Sequence, residues 1–168
     1  MVWKMMLASA ATMAMRVVPP NLLSGNTMPP LVTAPMGEME MTPAPINPAW
    51  VLSGDPQARA AEHSRSPDDA ALTAVWDCTD GSFRWYFPWD ETVLILEGTV
   101  HVTAADGSTR TLKTGDIAYF AGDTWATWQV EGYVRKIAFL RRPFPKPLAA
   151  AIRIKRFLTS GGSVGLAA

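Results

Sequence analysis

The stretch Val93-Leu-Ile-Leu-Glu-Gly-Thr-Val-His-Val-Thr-Ala-Ala-Asp-Gly107 decides the fold. Residues 93–96 form a continuous apolar run, and residues 99–103 alternate between apolar and polar side chains. His101 therefore points away from the face that the neighbouring valines bury. Asp106-Gly107 is a strong hairpin signal, because this pair tolerates the positive φ angles of a type I′ turn. The stretch predicts strands joined by a hairpin.

The same pattern continues through a long proline-free window. No proline lies between Trp89 and Arg142, and short β-rich segments recur there between regularly spaced glycines. We expect further strands at 117–120, 125–130 and 134–140. Several short strands at this spacing indicate an antiparallel sandwich or barrel, in which strands do not alternate with helices. The glycines of this window are Gly98, Gly107, Gly115, Gly122 and Gly132.

The N-terminal part has a different composition. All nine methionines fall at or before Met41, and ten of the 14 prolines fall at or before Pro67. Prolines at this density prevent long helices and central strands. We expect residues 1–45 to form an extended arm that is either disordered or laid over another surface.

The C-terminal part, residues 145–168, predicts a short basic helix. Good helix formers run from Leu148 to Leu158, and glycines follow. We expect Leu148, Ile152 and Phe157 to share one apolar stripe, with the basic residues facing water. Docking of this helix on its own domain or on a partner subunit is favoured over a membrane-surface anchor.

Charge and cysteine content exclude several classes of protein. The 15 acidic and 15 basic residues balance, but residues 38–140 hold all the acids against seven bases, a net charge of −8. A nucleic-acid-binding domain would show a basic face instead. The single cysteine, Cys78, excludes an internal disulfide and a zinc site built on cysteine pairs, and we expect a structural thiol in a cytoplasmic protein. No apolar run approaches the length of about 20 residues that spans a bilayer.

Two segments resemble the paired motifs of the cupin superfamily. Residues 75–98 are similar to the first motif, with Glu91 seven residues before Gly98, and residues 115–130 are similar to the second. Details such as Asp90-Glu91 and Val134-Arg-Lys136 resemble the ureidoglycine aminohydrolase-like cupin family. The resemblance implies an all-β jelly-roll barrel (double-stranded β-helix) over residues 46–144. It also implies a homodimer, and a ligand pocket in the mouth of each barrel.

The sequence departs from the metal-binding pattern of many cupins. That pattern uses a His-x-His pair, a glutamate and a third histidine, and only the glutamate, Glu91, is present. The matching positions are Arg84 and Tyr86, or Trp85 and Phe87, and Ala126. One carboxylate cannot hold a divalent ion, because such sites need about three protein ligands. We therefore predict no metal and no cofactor, with structural or solvated roles for both histidines, His63 and His101.

The candidate pocket is an acid among aromatic side chains. A desolvated Glu91 could act as a general acid or base, and Arg84, Arg135 or Lys136 could pair with it. Strand parity leaves open which of the last two faces inward. The predicted pocket residues are Trp85, Tyr86, Glu91, Trp125, Trp128 and Lys136. Core packing is the alternative for Trp85 and Trp128, and turn capping is favoured for Asp116.

Three functions remain from the sequence. The leading hypothesis is a metal-independent domain that binds a small polar metabolite. The second is an enzyme acting on small nitrogen-rich molecules, as in the ureidoglycine aminohydrolase-like family, where the resemblance implies metal-assisted release of ammonia. The third is a dimeric structural or interaction module whose basic tail contacts a membrane or a protein.

Overall fold

A computed structural model describes residues 29–159, which form an antiparallel jelly roll with one α-helix at its C-terminal end. The all-β prediction is confirmed. A short 3₁₀ turn, Pro48–Trp50, precedes the second strand. The strands are β1 (Thr42–Pro43), β2 (Val51–Gly54), β3 (Ala58–Arg65), β4 (Ala71–Phe87), β5 (Asp90–Ala104), β6 (Thr109–Lys113), β7 (Ile117–Phe120) and β8 (Thr124–Arg141), and the helix is α1 (Lys146–Thr159).

Three long strands organise the sheet. Its order is β1-β3-β4-β8-β5-β6, with β2 also paired to β4 and β7 also paired to β5. The strands β4, β5 and β8 have 17, 15 and 18 residues, against a usual length of about 5–6. Strands this long must bend to enclose a core, and the bends occur at glycines.

The glycines at 98 and 132 lie inside strands, where the sequence predicted breaks between strands. Residues 93–96 and 99–103 form one strand, β5, and residues 125–130 and 134–140 form one strand, β8. The register of β5 against β8 shifts on both sides of Gly98, and the φ angle of Gly98 is +82°. Extra residues at such bulges bend the strand while pairing continues beyond them. A glycine within a β-rich sequence can therefore indicate either a bulge inside one strand or a turn between two strands.

The predicted hairpin joins β5 and β6, but its turn differs from the expected type. The loop has four residues, 105–108, and Gly107 alone of the Asp106-Gly107 pair has a positive φ angle, +83°. The backbone N–H of Ser108 donates to Asp106 Oδ1 at 2.9 Å. This side-chain contact stabilises the loop without the two positive φ angles of a type I′ turn.

The inner face of the sheet carries a continuous core. Val100 is fully buried, whereas the neighbouring His101 lies on the outer face and contacts Thr111 Oγ1 and Glu131 Oε1 through its ring nitrogens. The predicted orientation of His101 is confirmed. The largest fully buried side chains include Trp128, Phe83, Phe87, Ile95, Val75, Val93 and Val130.

The described part of the N-terminal segment lies against the outer face of the barrel. Arg135 Nη2 donates to the carbonyl oxygen of Met36 at 2.9 Å. Met36 and Met39 also line a cleft of about 320 Å³ with Val75 and Ile137 of the sheet. Val75 is on the outer face and has no exposed surface. Residues 1–28 of the predicted arm, and the C-terminal residues 160–168, lie outside the described residues.

The helix α1 forms as predicted, but its apolar stripe is different. A residue turns the helix by about 100°, so Phe157, nine positions after Leu148, lies on the opposite side. The prediction of one stripe through Leu148, Ile152 and Phe157 was wrong for this geometric reason. No helix among residues 29–159 has the length and apolar content needed to cross a bilayer.

Candidate functional site

A buried ion pair lies inside the barrel. Lys136 Nζ donates to Glu91 Oε1 at 2.6 Å, and the two side chains are 5% and 7% exposed. The neighbouring Arg135 points to the outer face, where it bonds to Met36. Of the three cations that the sequence offered as partners of Glu91, the structure selects Lys136.

Glu91 and Lys136 are in contact although their positions on the paired strands are four residues apart. In the pairing of β5 with β8, Glu91 is opposite Leu140 and Lys136 is opposite Ile95. Ala138 lies between these two positions on β8 and is buried. Its small side chain leaves room for the long side chains to meet above it. Glu91 and Lys136 are therefore not opposite each other in the strand pairing, yet the ends of their side chains are in contact.

Aromatic rings surround the ammonium group of Lys136. Its Nζ lies 4.6 Å from the ring centroid of Trp128 and 5.1 Å from that of Trp76. Trp85 extends this layer, with its ring centroid 6.1 Å from that of Trp76. A cation over desolvated indole faces is stabilised by the ring quadrupole. Phe83 stacks on Trp128 and closes the layer.

Trp76 is a site residue that the sequence reasoning missed. On β4 the inward residues before Gly81 have even numbers, as in Trp76 and Cys78, whereas those after it have odd numbers, as in Phe83. The register of β4 against β8 shifts between Thr79 and Gly81. A one-residue bulge reverses which side chains face inward, so alternation counted along the whole strand excludes Trp76.

Both indole groups beside Lys136 keep an unused donor. Trp76 Nε1 and Trp128 Nε1 are buried and have no hydrogen-bond partner within residues 29–159. An unsatisfied buried donor costs about 1–3 kcal/mol. The interior thus combines one carboxylate, one ammonium and two N–H groups that lack acceptors, all within an aromatic layer.

Tyr86 and Trp125, two of the predicted pocket residues, lie on the outer face of the sheet and do not contact the Glu91–Lys136 pair. They are directly opposite each other on β4 and β8, and their rings are 5.1 Å apart. Because Phe87 is buried, its neighbour Tyr86 lies on the other face. Tyr86 Oη donates to Asp123 Oδ1 at 2.7 Å, and this bond raises the pKa of Tyr86.

The rim of the barrel is bridged by Trp50. Its ring centroid lies 6.1 Å from that of Trp85 on the inner face and 5.2 Å from that of Trp125 on the outer face. Asn47 caps the short 3₁₀ turn that carries Trp50, with its Oδ1 accepting from the N–H of Ala49 at 3.0 Å. Trp125 is therefore a rim residue, connected to the interior through Trp50.

Two adjoining clefts open at the edge of the barrel. One, of about 360 Å³, lies between β6 and β7, and the other, of about 240 Å³, extends toward Trp125. Phe120 lines both clefts and also stacks on Phe87 at 4.3 Å. Neither Glu91 nor Lys136 lines these clefts, so the ring of Phe120 lies between the clefts and the core.

The residues at the expected metal positions do not fit a divalent ion. Arg84 and Tyr86 project from the outer face, and Ala126 offers no donor atom. Glu91 already accepts a hydrogen bond from the ammonium of Lys136, whose positive charge would repel a metal ion. Within the described residues 29–159, no three His, Cys, Asp or Glu side chains come together as a metal-binding group.

The other candidates have structural surroundings. Asp116 Oδ2 accepts from the backbone N–H of Lys113 at 2.9 Å, as a turn-capping residue does. His63 Nδ1 lies 3.1 Å from Ser64 Oγ. Cys78 is fully buried, and burial together with the nearby Asp77 charge raises the pKa of its thiol to about 12. A thiol of this kind is unreactive at neutral pH.

An antiparallel jelly roll with its polar pair inside the barrel defines a cupin-type domain. The particular match is to the EutQ-like cupin domain, whose family model covers residues 65–138. Residues 65–138 therefore form a domain of the cupin superfamily. No match was found among proteins with curated descriptions.

Several solved structures are similar to this chain, and those with TM-scores above 0.5 support the same fold. A DUF861 protein of unknown function from Pseudomonas syringae pv. tomato is 28% identical, with a TM-score of 0.56, and the match covers 61% of this chain but 45% of that protein. A DUF861 protein from Thermotoga maritima is 36% identical over 38% of this chain and 73% of that one, with a TM-score of 0.37. Fe(II)-HppE with an alternative substrate is 15% identical with a TM-score of 0.55, covering 70% of this chain and 63% of that one, which indicates a shared fold.

Proposed function

We propose that the barrel is a metal-independent binding domain for a small polar metabolite. The observation that carries this proposal is the buried Glu91–Lys136 pair within the layer of Trp76, Trp85 and Trp128. Pockets for small ligands combine apolar walls with a few convergent polar groups. Glu91 supplies the acceptor, Lys136 supplies a charged donor, and the two indole N–H groups are further donors.

The energetic cost of this pair supports a role in binding. Replacing a buried ion pair with well-packed apolar residues is often neutral or stabilising, so a stabilising role alone does not account for the buried Glu91–Lys136 pair. The ammonium is fixed by two ring faces and one carboxylate oxygen. A ligand that offers both an acceptor and a donor would match these groups, with Tyr86, Trp125 and Trp50 bordering its entry at the rim.

The alternative is an enzyme of the ureidoglycine aminohydrolase-like family, with Glu91 as the candidate catalytic residue. The motifs Asp90-Glu91 and Val134–Lys136 favour this relationship. The metal that assists the reaction in that family would need ligands that the described residues 29–159 do not place around Glu91. We therefore rank the binding function first. The candidate site residues are the same for both functions, so metal content separates them.

A thermal-shift screen tests the binding function. Ureides, amino acids and small carboxylates are added at millimolar concentration to the wild type, Glu91→Gln, and the double variant Glu91→Met/Lys136→Met. We expect at least one compound class to raise the Tm of the wild type and of the control Glu131→Gln, but not the Tm of the two variants that lack Glu91. Glu131→Gln is the matched control, because Glu131 pairs with His101 on the outer face. Equal shifts in all four proteins, or none in any, would contradict the proposal.

Elemental analysis tests the metal-independent part of the proposal. Untagged protein purified without chelators should contain far less than one equivalent of manganese, zinc or iron. A stoichiometric metal that Glu91→Gln loses would instead favour the enzyme. The expected homodimer stays a prediction, and sedimentation equilibrium at several protein concentrations would measure it.

A further inference from the structure

The helix α1 carries an exposed apolar face. Ile154, Phe157 and Leu158 are spaced i, i+3 and i+4, and so lie on one side of the helix. They are 60%, 86% and 75% exposed, so this side packs against no described part of the chain. The expected docking of the helix on its own domain is therefore absent for this face within residues 29–159. An exposed face of large apolar side chains marks an interaction site.

Basic residues border this face on both sides. Arg153 and Lys155 directly precede and follow Ile154, which places them about 100° to either side of it around the helix. Long basic side chains in these positions can extend toward phosphate groups while their methylene stems lie beside the apolar face. Such an arrangement is typical of helices that lie in the plane of a membrane interface.

The charge of the surrounding sequence has the same sign. No acidic residue follows Glu131, and residues 141–168 contain six basic residues. A protein partner would usually be met by a rim of mixed charges, whereas an anionic lipid surface attracts a segment of uniformly positive charge. The acidic barrel, residues 38–140, would face away from such a surface.

We propose that α1 attaches the barrel to anionic lipid surfaces, with Ile154, Phe157 and Leu158 inserted among the acyl chains and Arg153 and Lys155 at the headgroups. This binding is independent of the ligand site inside the barrel. The binding requires both features. Burial of the apolar face in the bilayer provides affinity, and the positive charge makes the helix prefer anionic lipids.

Vesicle sedimentation of the full chain tests the proposal. We expect binding to vesicles of 70% phosphatidylcholine and 30% phosphatidylglycerol, and at least tenfold weaker binding to pure phosphatidylcholine. Raising the salt from 0.1 M to 0.5 M should also weaken binding, because surface charges are then screened. Ile154→Ser/Phe157→Ser should reduce binding at least tenfold.

The matched control is Ile117→Ser, which removes an exposed isoleucine from β7 of the barrel; Ile117 is 71% exposed and Ile154 is 60% exposed. This variant should bind anionic vesicles like the wild type. Circular dichroism checks that each variant is folded. The proposal is overturned by equal binding to both kinds of vesicle or by unchanged binding of Ile154→Ser/Phe157→Ser. It is also overturned if the wild type binds no vesicle and instead forms a dimer that this variant loses, which would identify a second copy as the partner.

Discussion

Two acids are buried in this barrel, and their surroundings differ. Asp77 lies on the outer face, where Arg59 donates to both its oxygens at 3.1 and 2.7 Å and Tyr133 Oη donates at 3.0 Å. Arg59 is 53% exposed, so water solvates this pair from one side. Glu91 lies on the inner face with one donor, Lys136, and both partners are buried.

The difference distinguishes a structural pair from a candidate site. Asp77 lies on β4 and accepts three hydrogen bonds from Arg59 of β3 and Tyr133 of β8, so it fastens these three strands together. Burial and the Asp77 contact raise the pKa of Tyr133, so its hydroxyl keeps its proton as a donor at neutral pH. Glu91 keeps acceptor capacity that no described side chain uses, beside two indole donors that lack partners. A bound ligand can form hydrogen bonds with buried donors and acceptors that have no partner in the protein.

Breaking the inner pair should have the largest effect. Lys136→Met leaves a buried carboxylate without a partner, and we expect a loss of about 3–5 kcal/mol in the free energy of unfolding. Glu91→Met/Lys136→Met should recover most of this loss, because both charges are gone. Urea denaturation measures both variants. If the double variant had as low a free energy of unfolding as Lys136→Met, the Glu91–Lys136 pair would be structural. It would then not differ in role from the Arg59–Asp77 pair.

Blocking the bulge that brings Glu91 to the inner face should cost at least about 2 kcal/mol. A Cβ atom on Gly98 would lie 1.9 Å from the carbonyl oxygen of Tyr133, in addition to the strain of a positive φ angle. Gly107→Ala is the control: its φ angle is nearly the same, +83°, but no atom lies within 4 Å of the added Cβ. Gly98→Ala should therefore unfold at clearly lower urea concentration than Gly107→Ala. Equal losses would show that strain alone, without the strand contact, sets the cost.

Breaking the outer pair with Arg59→Met should destabilise the protein clearly less than Lys136→Met does, because exposed ion pairs contribute little. Asp77 would keep the hydrogen bond from Tyr133, and the half-exposed position lets water replace Arg59. The measurement is urea denaturation beside Lys136→Met under the same conditions. A loss as large as that of Lys136→Met would show that exposure does not separate the two acids.

The smallest expected effect concerns Cys78, which follows Asp77 but faces the interior. Its pKa rises from 9.0 to about 12 on folding, so the folded protein holds a proton that the unfolded chain releases above pH 9. Stability should therefore fall as the pH rises from 9 toward 12, by about 1 kcal/mol at pH 10 from this thiol. Cys78→Ala should lack this component. The same slope in both proteins would assign the loss to other groups.

The sequence predicts side-chain orientations correctly within a strand segment that contains no bulge. The alternation around Val100 and the Asp106-Gly107 pair correctly indicated a hairpin and the outward position of His101, because both signals are local. The inward position of Glu91 came from a motif resemblance. Trp76 was missed because the bulge of β4 before Gly81 reverses which side chains face inward. Tyr86 and Trp125 lie on the outer face, and their residue types alone did not give this orientation.

The sequence by itself determined the class of fold, the hairpin and the positive charge of the C-terminal segment, since each depends on residues close together in the chain. The tertiary structure alone decided that Lys136 and not Arg135 meets Glu91. It also decided that three tryptophans from two strands gather around this pair. These contacts join positions far apart in sequence, and they depend on the exact residue at which each strand bends.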